Sequence, residues 1–298
     1  MKRERTLTLE ALRVLDEIDR RGSFAAAAEA LGRVPSALSY TIQKLEDELD
    51  IVIYDRSGHR TKLTHAGQVL LEQGRILLRA ADKITNDVIT LSKGWERELT
   101  IVCEALFPTE YLFPLIKTLN GRSDTEISLM TEVLSGTWET LERGEADIVI
   151  APSLHFNHTP EINSQFLYHQ ISYFVAAKDH PIHQEDEPFS DESRQKYQGV
   201  AIADTAKERA QLTVQLLERQ QRLRVSTLRD KKQAILYGLG IGSLPLYAIE
   251  KELDSGDLVV VANSVPQQVD MIMAWRRDAM GEAKSFLLRE IPKLFKPH

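Results

Sequence analysis

One cysteine, Cys103, occurs among 298 residues, so no intrachain disulfide can form, and this usage suits a reducing compartment. No apolar run approaches the roughly 20 residues that a membrane span requires. The opening Met1-Lys-Arg-Glu-Arg-Thr-Leu-Thr-Leu-Glu has no apolar core before charge recurs at Glu10 and Arg13, which is not the pattern of a signal peptide. The expected location is therefore the cytoplasm, without a membrane partner. A catalytic constellation is also lacking: there is no Gly-x-Ser-x-Gly, no paired carboxylates at a defined spacing and no Cys/His pairing. His155-Phe-Asn-His158 offers two imidazoles between Pro152 and Pro160 but no third ligand. Gly238-Leu-Gly240-Ile-Gly242 follows a helical stretch and enters a strand, the reverse of a dinucleotide fingerprint, and reads as a tight turn. No enzyme activity, metal or cofactor is expected.

An excess of positive charge is missing too. The net charge is −7, and residues 1–62 hold 11 basic and 11 acidic side chains, so the acidic surplus belongs to the remainder. A neutral N-terminal segment can grip an anionic partner only through local placement of its basic groups and through oligomerisation.

What is present near the N-terminus is a pair of short helices around a tight turn. Ser23 can cap the first, and Ala26, Ala27, Ala30 and Leu31 offer it a small-residue face for close packing. Gly32 suits its exit. Pro35 and Ser36 restart a helix whose apolar stripe is Ala37, Leu38, Ile42 and Leu45. Ser36, Ser39, Tyr40, Gln43 and Lys44 lie off that stripe, free to reach a DNA groove. The run Val52–Thr64 then reads as a hairpin with Arg56, Arg60 and Lys62 on it, a basic wing for phosphates or the minor groove. From His65 to Lys93, Val69, Ile76 or Leu77, Ala80, Ile84, Val88 and Leu91 recur at three- to four-residue steps. Such a helix needs a partner: either the same helix of a second subunit, which would set two reading heads about one DNA turn apart, or another part of its own chain. Gly94 ends it.

Beyond Gly94 short apolar strands alternate with helices. Strands are expected at Leu99–Ala105, Ile127–Val133 and Ile148–Ala151, with helices at Thr109–Leu119 and Trp138–Arg143. A second set places strands at Tyr173–Ala176, Val200–Ala203, Leu223–Ser226, Ile241–Ser243 and Leu258–Val261, and helices at Leu212–Leu217, Arg229–Tyr237 and Leu246–Leu253. Val269–Trp275 and Gly281–Leu294 close the chain as a strand and a helix.

These motifs together resemble LysR-type transcriptional regulators. Gly22-Ser-Phe, the Ala-Ala-Glu-Ala-Leu run, Pro35-Ser-Ala-Leu-Ser, Leu45-Glu, Asp55-Arg and Leu63-Thr-x-Ala-Gly67 carry the resemblance, and the length and strand order extend it over the whole chain. Two positions depart from the family pattern: Val34-Pro35 stands where Ser-Gln is common, and Tyr40 where a basic residue is common, so the bases read here are expected to differ. The resemblance implies an α+β multidomain architecture: a winged helix-turn-helix over 1–64, a linker helix over 65–94 and a two-lobed, periplasmic-binding-protein-like (type II) α/β effector domain over 95–298. Its lobes are placed at 95–162 with 268–298, and at 163–267.

In this reading Ser23, Pro35, Ser36, Ser39, Tyr40, Gln43, Lys44, Arg56, Arg60 and Lys62 meet DNA at an inverted repeat in a promoter. A small-molecule effector sits beyond the carboxyl ends of the strands, where loops and helix N-termini converge. The expected contacts are Glu104, Phe107, Thr109, Leu134, Ser135, Gly136, Thr137, Ala151, Asp204, Thr205 and Ser243, with Phe107 covering an apolar part of the ligand. Glu104 and Asp204 favour a cationic or hydroxyl-donating ligand, unless Glu104 pairs with a base such as Arg209. The resemblance also implies a homodimer through the linker helix, assembly into a homotetramer, and RNA polymerase as a further candidate partner.

Overall fold

The computed structural model describes residues 7–55, 62–154, 156–212, 216–278 and 280–295. They form two compact units, divided at residues 88 and 89.

The first unit begins with a helix that sequence periodicity did not single out, α1 (Leu9–Arg21). Thr8 Oγ1 accepts from the Ala11 amide at 3.2 Å to start it, and Gly22 ends it at φ 72°. Helix α2 (Phe24–Ala30) is capped by Ser23, whose Oγ accepts from the Ala26 amide. Helix α3 (Pro35–Leu49) has proline in its first turn, where the missing N–H costs nothing. Val14, Leu15, Ile18, Leu38, Ile42 and Leu45 form the core with Ala27 and Ala28. The small-residue face of α2 is therefore Ala27–Ala28, and Ala30 and Leu31, expected in it, are exposed.

Strands β1 (Tyr54–Asp55) and β2 (Lys62–Leu63) pair antiparallel, with Tyr54 opposite Leu63. The Glu46 carboxylate accepts from the Ile53 and Tyr54 amides, which ties the entry of this hairpin to α3. Arg56 and Arg60 lie outside the described residues. Helix α4 (His65–Lys93) follows, and Arg75 joins it to α1 by hydrogen bonds to Asp16 and Asp19 at 2.6 and 2.8 Å. Gly67 must lack a side chain because a Cβ would overlap the Ile53 carbonyl oxygen.

The second unit contains β3 (Glu98–Glu104), α5 (Phe113–Asn120), β4 (Glu126–Glu132), α6 (Ser135–Glu142), β5 (Ile148–Pro152) and β6 (Ile162–Ala177). It continues through α7 (Asp191–Gln195), β7 (Gly199–Ile202), β8 (Arg222–Val225), α8 (Leu228–Leu236), β9 (Gly242–Pro245), α9 (Leu246–Ser255), β10 (Leu258–Val260), β11 (Gln267–Arg276) and α10 (Glu282–Glu290). Seven strands make one curled sheet in the order β10-β6-β11-β5-β3-β4, with β9 also on β6; β7 and β8 pair separately. Parallel β3, β4 and β5 belong to the first lobe, whose core joins Ile101, Ile148 and Ile150 to Phe286 and Leu287 of α10. Val175, Val200, Ile235, Leu244, Ile249 and Leu258 make the core of the second lobe.

Two expectations change. The strand predicted at Tyr173–Ala176 is the end of the 16-residue β6, which pairs with β11 over Ile162–Ser172 and with β9 and β10 towards its end. Leu167 and Tyr168, within its first part, pack into the first core. The helix predicted at Leu212–Leu217 is absent at its described positions: Leu212, Leu216 and Leu217 are irregular.

Candidate DNA-reading face and interlobe cleft

Burial of Leu38, Ile42 and Leu45 fixes which side of α3 faces outward. Pro35, Ser36, Ser39, Tyr40, Gln43 and Lys44 are all exposed on it, Tyr40 to 71%. Ser36, Ser39 or Tyr40, and Gln43 succeed one another at helical steps, so they form one polar ridge of the width that enters a major groove. Ser23 is exposed at the start of α2 with Oγ engaged in the cap, and Lys62 is exposed on β2. The apolar stripe of α4 is left open: Ile84, Val88 and Leu91 are 66%, 61% and 80% exposed.

In the second unit a cavity of about 380 Å³ opens beyond the ends of β3, β4 and β5, walled by Leu106, Leu134, Trp138, Leu154 and Val269 with Glu104 at its margin. A chamber of about 90 Å³ adjoins it and shares Glu104, Leu106, Leu134 and Ser172; Lys231 and Ser243 close its far side from the second lobe. Of the effector contacts expected from sequence, Glu104, Leu134 and Ser243 line this cleft.

The others do not. The Phe107 ring is buried in the first core against Tyr111 and Phe295, so it covers protein rather than ligand. Thr109 starts a 3-10 turn away from both cavities, and Ala151 is fully buried in the layer beneath. Thr137 is fully buried within the first turn of α6.

Ser135, Gly136, Asp204 and Thr205 are committed to one another. Asp204, from the second lobe, accepts from the Ser135 and Gly136 amides of α6 at 3.3 and 3.2 Å and from the Ala206 and Leu212 amides at 2.9 and 2.7 Å. Thr205 Oγ1 accepts from the Val133 amide at 2.9 Å. Glu139 of α6 takes the Lys207 and Glu208 amides, and Arg209 pairs with Glu142. The N-terminus of α6 thus already holds a carboxylate, which latches the lobes together. Arg209 is likewise removed as a partner for Glu104.

Sequence reasoning passed over Lys231, Ser172 and the wall Leu106, Trp138, Leu154 and Val269. Lys231 had a signal, because it lies in the first turn of α8 just after β8, where strand-end logic looks for ligands. Ser172 and Val269 had none, since only the crossing of β6 and β11 brings them to the cleft.

The cleft is electrostatically unusual. Glu104 is 3% exposed, and burial raises its carboxyl to about 7 even though the Leu106 amide donates to it at 2.6 Å. Burial lowers the Lys231 ammonium to about 8, an effect that Glu104 opposes. From the ordinary glutamate value of 4.5 up to about 7, raising the pH charges a group that prefers neutrality in the folded state, so folding stability falls. Between about 8 and the ordinary lysine value of 10.5 Lys231 sheds its unfavourable charge and stability recovers. We expect the pair to contribute least at about pH 7–8. Glu104→Gln should then raise stability near pH 7.5 by on the order of 1–3 kcal/mol and leave it almost unchanged at pH 4.5. Denaturant unfolding at the two pH values checks this, and an equal change at both contradicts it.

With the geometry in hand, comparison with known proteins decides the family. Residues 9–68 match the profile described as bacterial regulatory helix-turn-helix protein, lysR family, and residues 92–291 match the LysR substrate binding domain. The chain belongs to the LysR family. This LysR-type regulator is 62% identical over 295 residues to the probable HTH-type transcriptional regulator YhaJ of Escherichia coli (strain K12), covering 99% of both chains. Among solved structures it resembles full-length CbnR in complex with its target DNA, with a TM-score of 0.61, 16% identity and 97% and 100% of the two chains covered. Full-length LysG of Corynebacterium glutamicum with bound effector Arg gives a TM-score of 0.54 at 20% identity, covering 97% and 98%. At these identities the two structures share the fold with our regulator. It is a transcriptional regulator with a helix-turn-helix DNA-binding domain and an effector-binding domain of two α/β lobes.

Proposed function

We propose that this LysR regulator works as a homodimer, paired through α4 and assembled further into a homotetramer, and that it reads an inverted repeat in a promoter with α3 of each subunit. The observation that carries this reading is the pair of surfaces left open: a polar ridge on α3 and an apolar stripe on α4, with Ile84, Val88 and Leu91 more than half exposed. In one subunit that stripe gains nothing from hydration; against its copy it is removed from water and holds two reading heads at a fixed spacing. Ser36, Ser39, Tyr40, Gln43 and Lys44 read base edges, Pro35 and Ser23 shape and cap the helix-turn-helix, and Arg56, Arg60 and Lys62 contact backbone phosphate. The working division is 1–64 for DNA, 65–94 for pairing and 95–298 for sensing. No catalysis is assigned to it, the cytoplasm is its place of action, and RNA polymerase is the candidate recipient of the signal.

The effector occupies the cleft around Glu104 and Lys231. Ligand binding favours one arrangement of the effector domains, which alters the spacing of the reading heads and the DNA bend they favour. Selection of bound fragments from the native genome by the full-length protein tests the reading. An interrupted inverted repeat should be recovered near a promoter. Ser39→Ala and Gln43→Ala should shift base preference, with about 1–3 kcal/mol at the affected positions. Arg56→Ala should instead weaken binding to all sequences and shallow its salt dependence. Fragments without a common motif would contradict the assignment.

A further inference from the structure

The small chamber of the cleft places an acid from one lobe opposite a base from the other. Glu104 ends β3 and Lys231 lies in the first turn of α8, and no ion pair within 4.0 Å joins them. Beside them Ser243 Oγ, in a residue 6% exposed, has no hydrogen-bond partner. A buried hydroxyl left unpaired is destabilising, so a ligand that supplies its partner regains that hydrogen bond. The adjoining cavity is walled by Leu106, Leu134, Trp138 and Val269, which suits an apolar body.

These features discriminate by charge. A monoanion drawn to Lys231 is held in low dielectric beside the Glu104 carboxylate, and a monocation drawn to Glu104 meets the Lys231 ammonium. A ligand with a donor at one end of its polar edge, an acceptor at the other and no net charge satisfies both. We propose that Glu104 and Lys231 together select an effector of no net charge, one that donates to Glu104, accepts from Lys231 and lays an apolar body in the adjoining cavity. This rests on the cleft being the effector site. Two sources share the chemistry, a zwitterionic amino acid and a neutral ring bearing adjacent hydroxyls.

The test uses the full-length protein and four probes: L-phenylalanine, catechol, benzoate and 2-phenylethylammonium, with binding read as the rise in melting temperature and as a dissociation constant. At least one of the first two should bind about tenfold or more tighter than either net-charged probe, and which one binds identifies the source. Charge preference should then invert by variant. Glu104→Gln leaves Lys231 unopposed and should admit benzoate, whereas Lys231→Met leaves Glu104 unopposed and should admit 2-phenylethylammonium. Leu106→Trp, or Ser172→Phe if that variant melts early, fills the shared wall and should abolish all binding. Wild-type preference for benzoate or 2-phenylethylammonium, abolished by the filling variant, overturns the charge selection and leaves the site standing. Binding that survives the filling variant overturns the site itself. Absence of binding by all four probes in the wild type and both charge variants also overturns the selection.

Discussion

Glutamate at both Ile84 and Val88 is expected to separate the subunits and to weaken operator binding by roughly 10²–10⁴-fold. The two side chains are 66% and 61% exposed in the single chain and stand one turn apart on α4, in line with Leu91 at 80%. Burying an Ile or Val stabilises by about 1.5–3 kcal/mol, and in a symmetric pair each position counts twice. Carboxylates there replace that gain with repulsion between like charges in a closing interface. The loss in DNA affinity follows because a dimer presents its second reading head at high effective concentration, an advantage a monomer forfeits. Sedimentation and operator titration at one fixed salt concentration measure both effects. Thr85→Glu, rotated about 100° from Ile84 round the helix, should leave the dimer intact and serves as the control. A double variant that stays dimeric removes α4 from the interface.

Asp204→Ala is expected to cost on the order of 2–4 kcal/mol of stability in the effector domain, seen as a fall in melting temperature on the order of 5–10 °C. The carboxylate satisfies four backbone amides drawn from both lobes, and alanine leaves those donors to find water in a buried seam. These amides also hold the Asp204 carboxyl below the usual carboxylate range against the opposing effect of burial. Its stabilising contribution is therefore present above the ordinary carboxyl value and is lost as the pH falls through the depressed folded one. Gly136→Ala approaches the same seam sterically, because a Cβ there would overlap Thr205 Oγ1 and stand 2.8 Å from the Thr205 carbonyl carbon. Both variants should open the latch, whereas Asp204→Asn, which keeps an acceptor, should fall between wild type and Asp204→Ala. An unchanged melting curve for Asp204→Ala shows that the latch contributes nothing to holding the lobes.

The latch also constrains how the lobes move. They are tied at α6 by Asp204, Thr205 and the amides on Glu139, and again where the Tyr247 hydroxyl donates to the Leu106 carbonyl at 3.0 Å. In the proposed effector site, a ligand between Glu104 and Lys231 would add a third tie on the open side rather than close two free halves. The strained backbone of Leu134, at φ 51°, lies between the latch and the cleft, so it adjoins both.

Local patterning made much of this molecule legible. A proline at the first turn of α3, a serine cap on α2, a glycine at the end of α4 and an uninterrupted apolar stripe along α4 act through their own few neighbours, and the structure keeps all four. Strands β3 and β5 were likewise visible as short apolar runs, because both are buried along most of their length. Strand β6 escaped because its greater part, Ile162–Ser172, interleaves Asn, Ser, Gln and His with apolar residues, and much of it is exposed. Helix α1 was hidden among the charges Glu10, Arg13, Asp16, Glu17 and Asp19, although Leu12, Leu15 and Ile18 bury its inner face almost completely.

The sequence by itself determined the class of protein, the position of the helix-turn-helix and the apolar stripe along α4, because capping, helical period and apolar alternation act over a few residues. Only the tertiary structure decided which strand-end residues meet in the cleft. It turned Phe107 into a core, committed Asp204 to α6 and brought Lys231 opposite Glu104 across 127 positions of chain. Those outcomes depend on the crossing of β6 and β11, and a contact between distant segments has no period along the chain from which to read it.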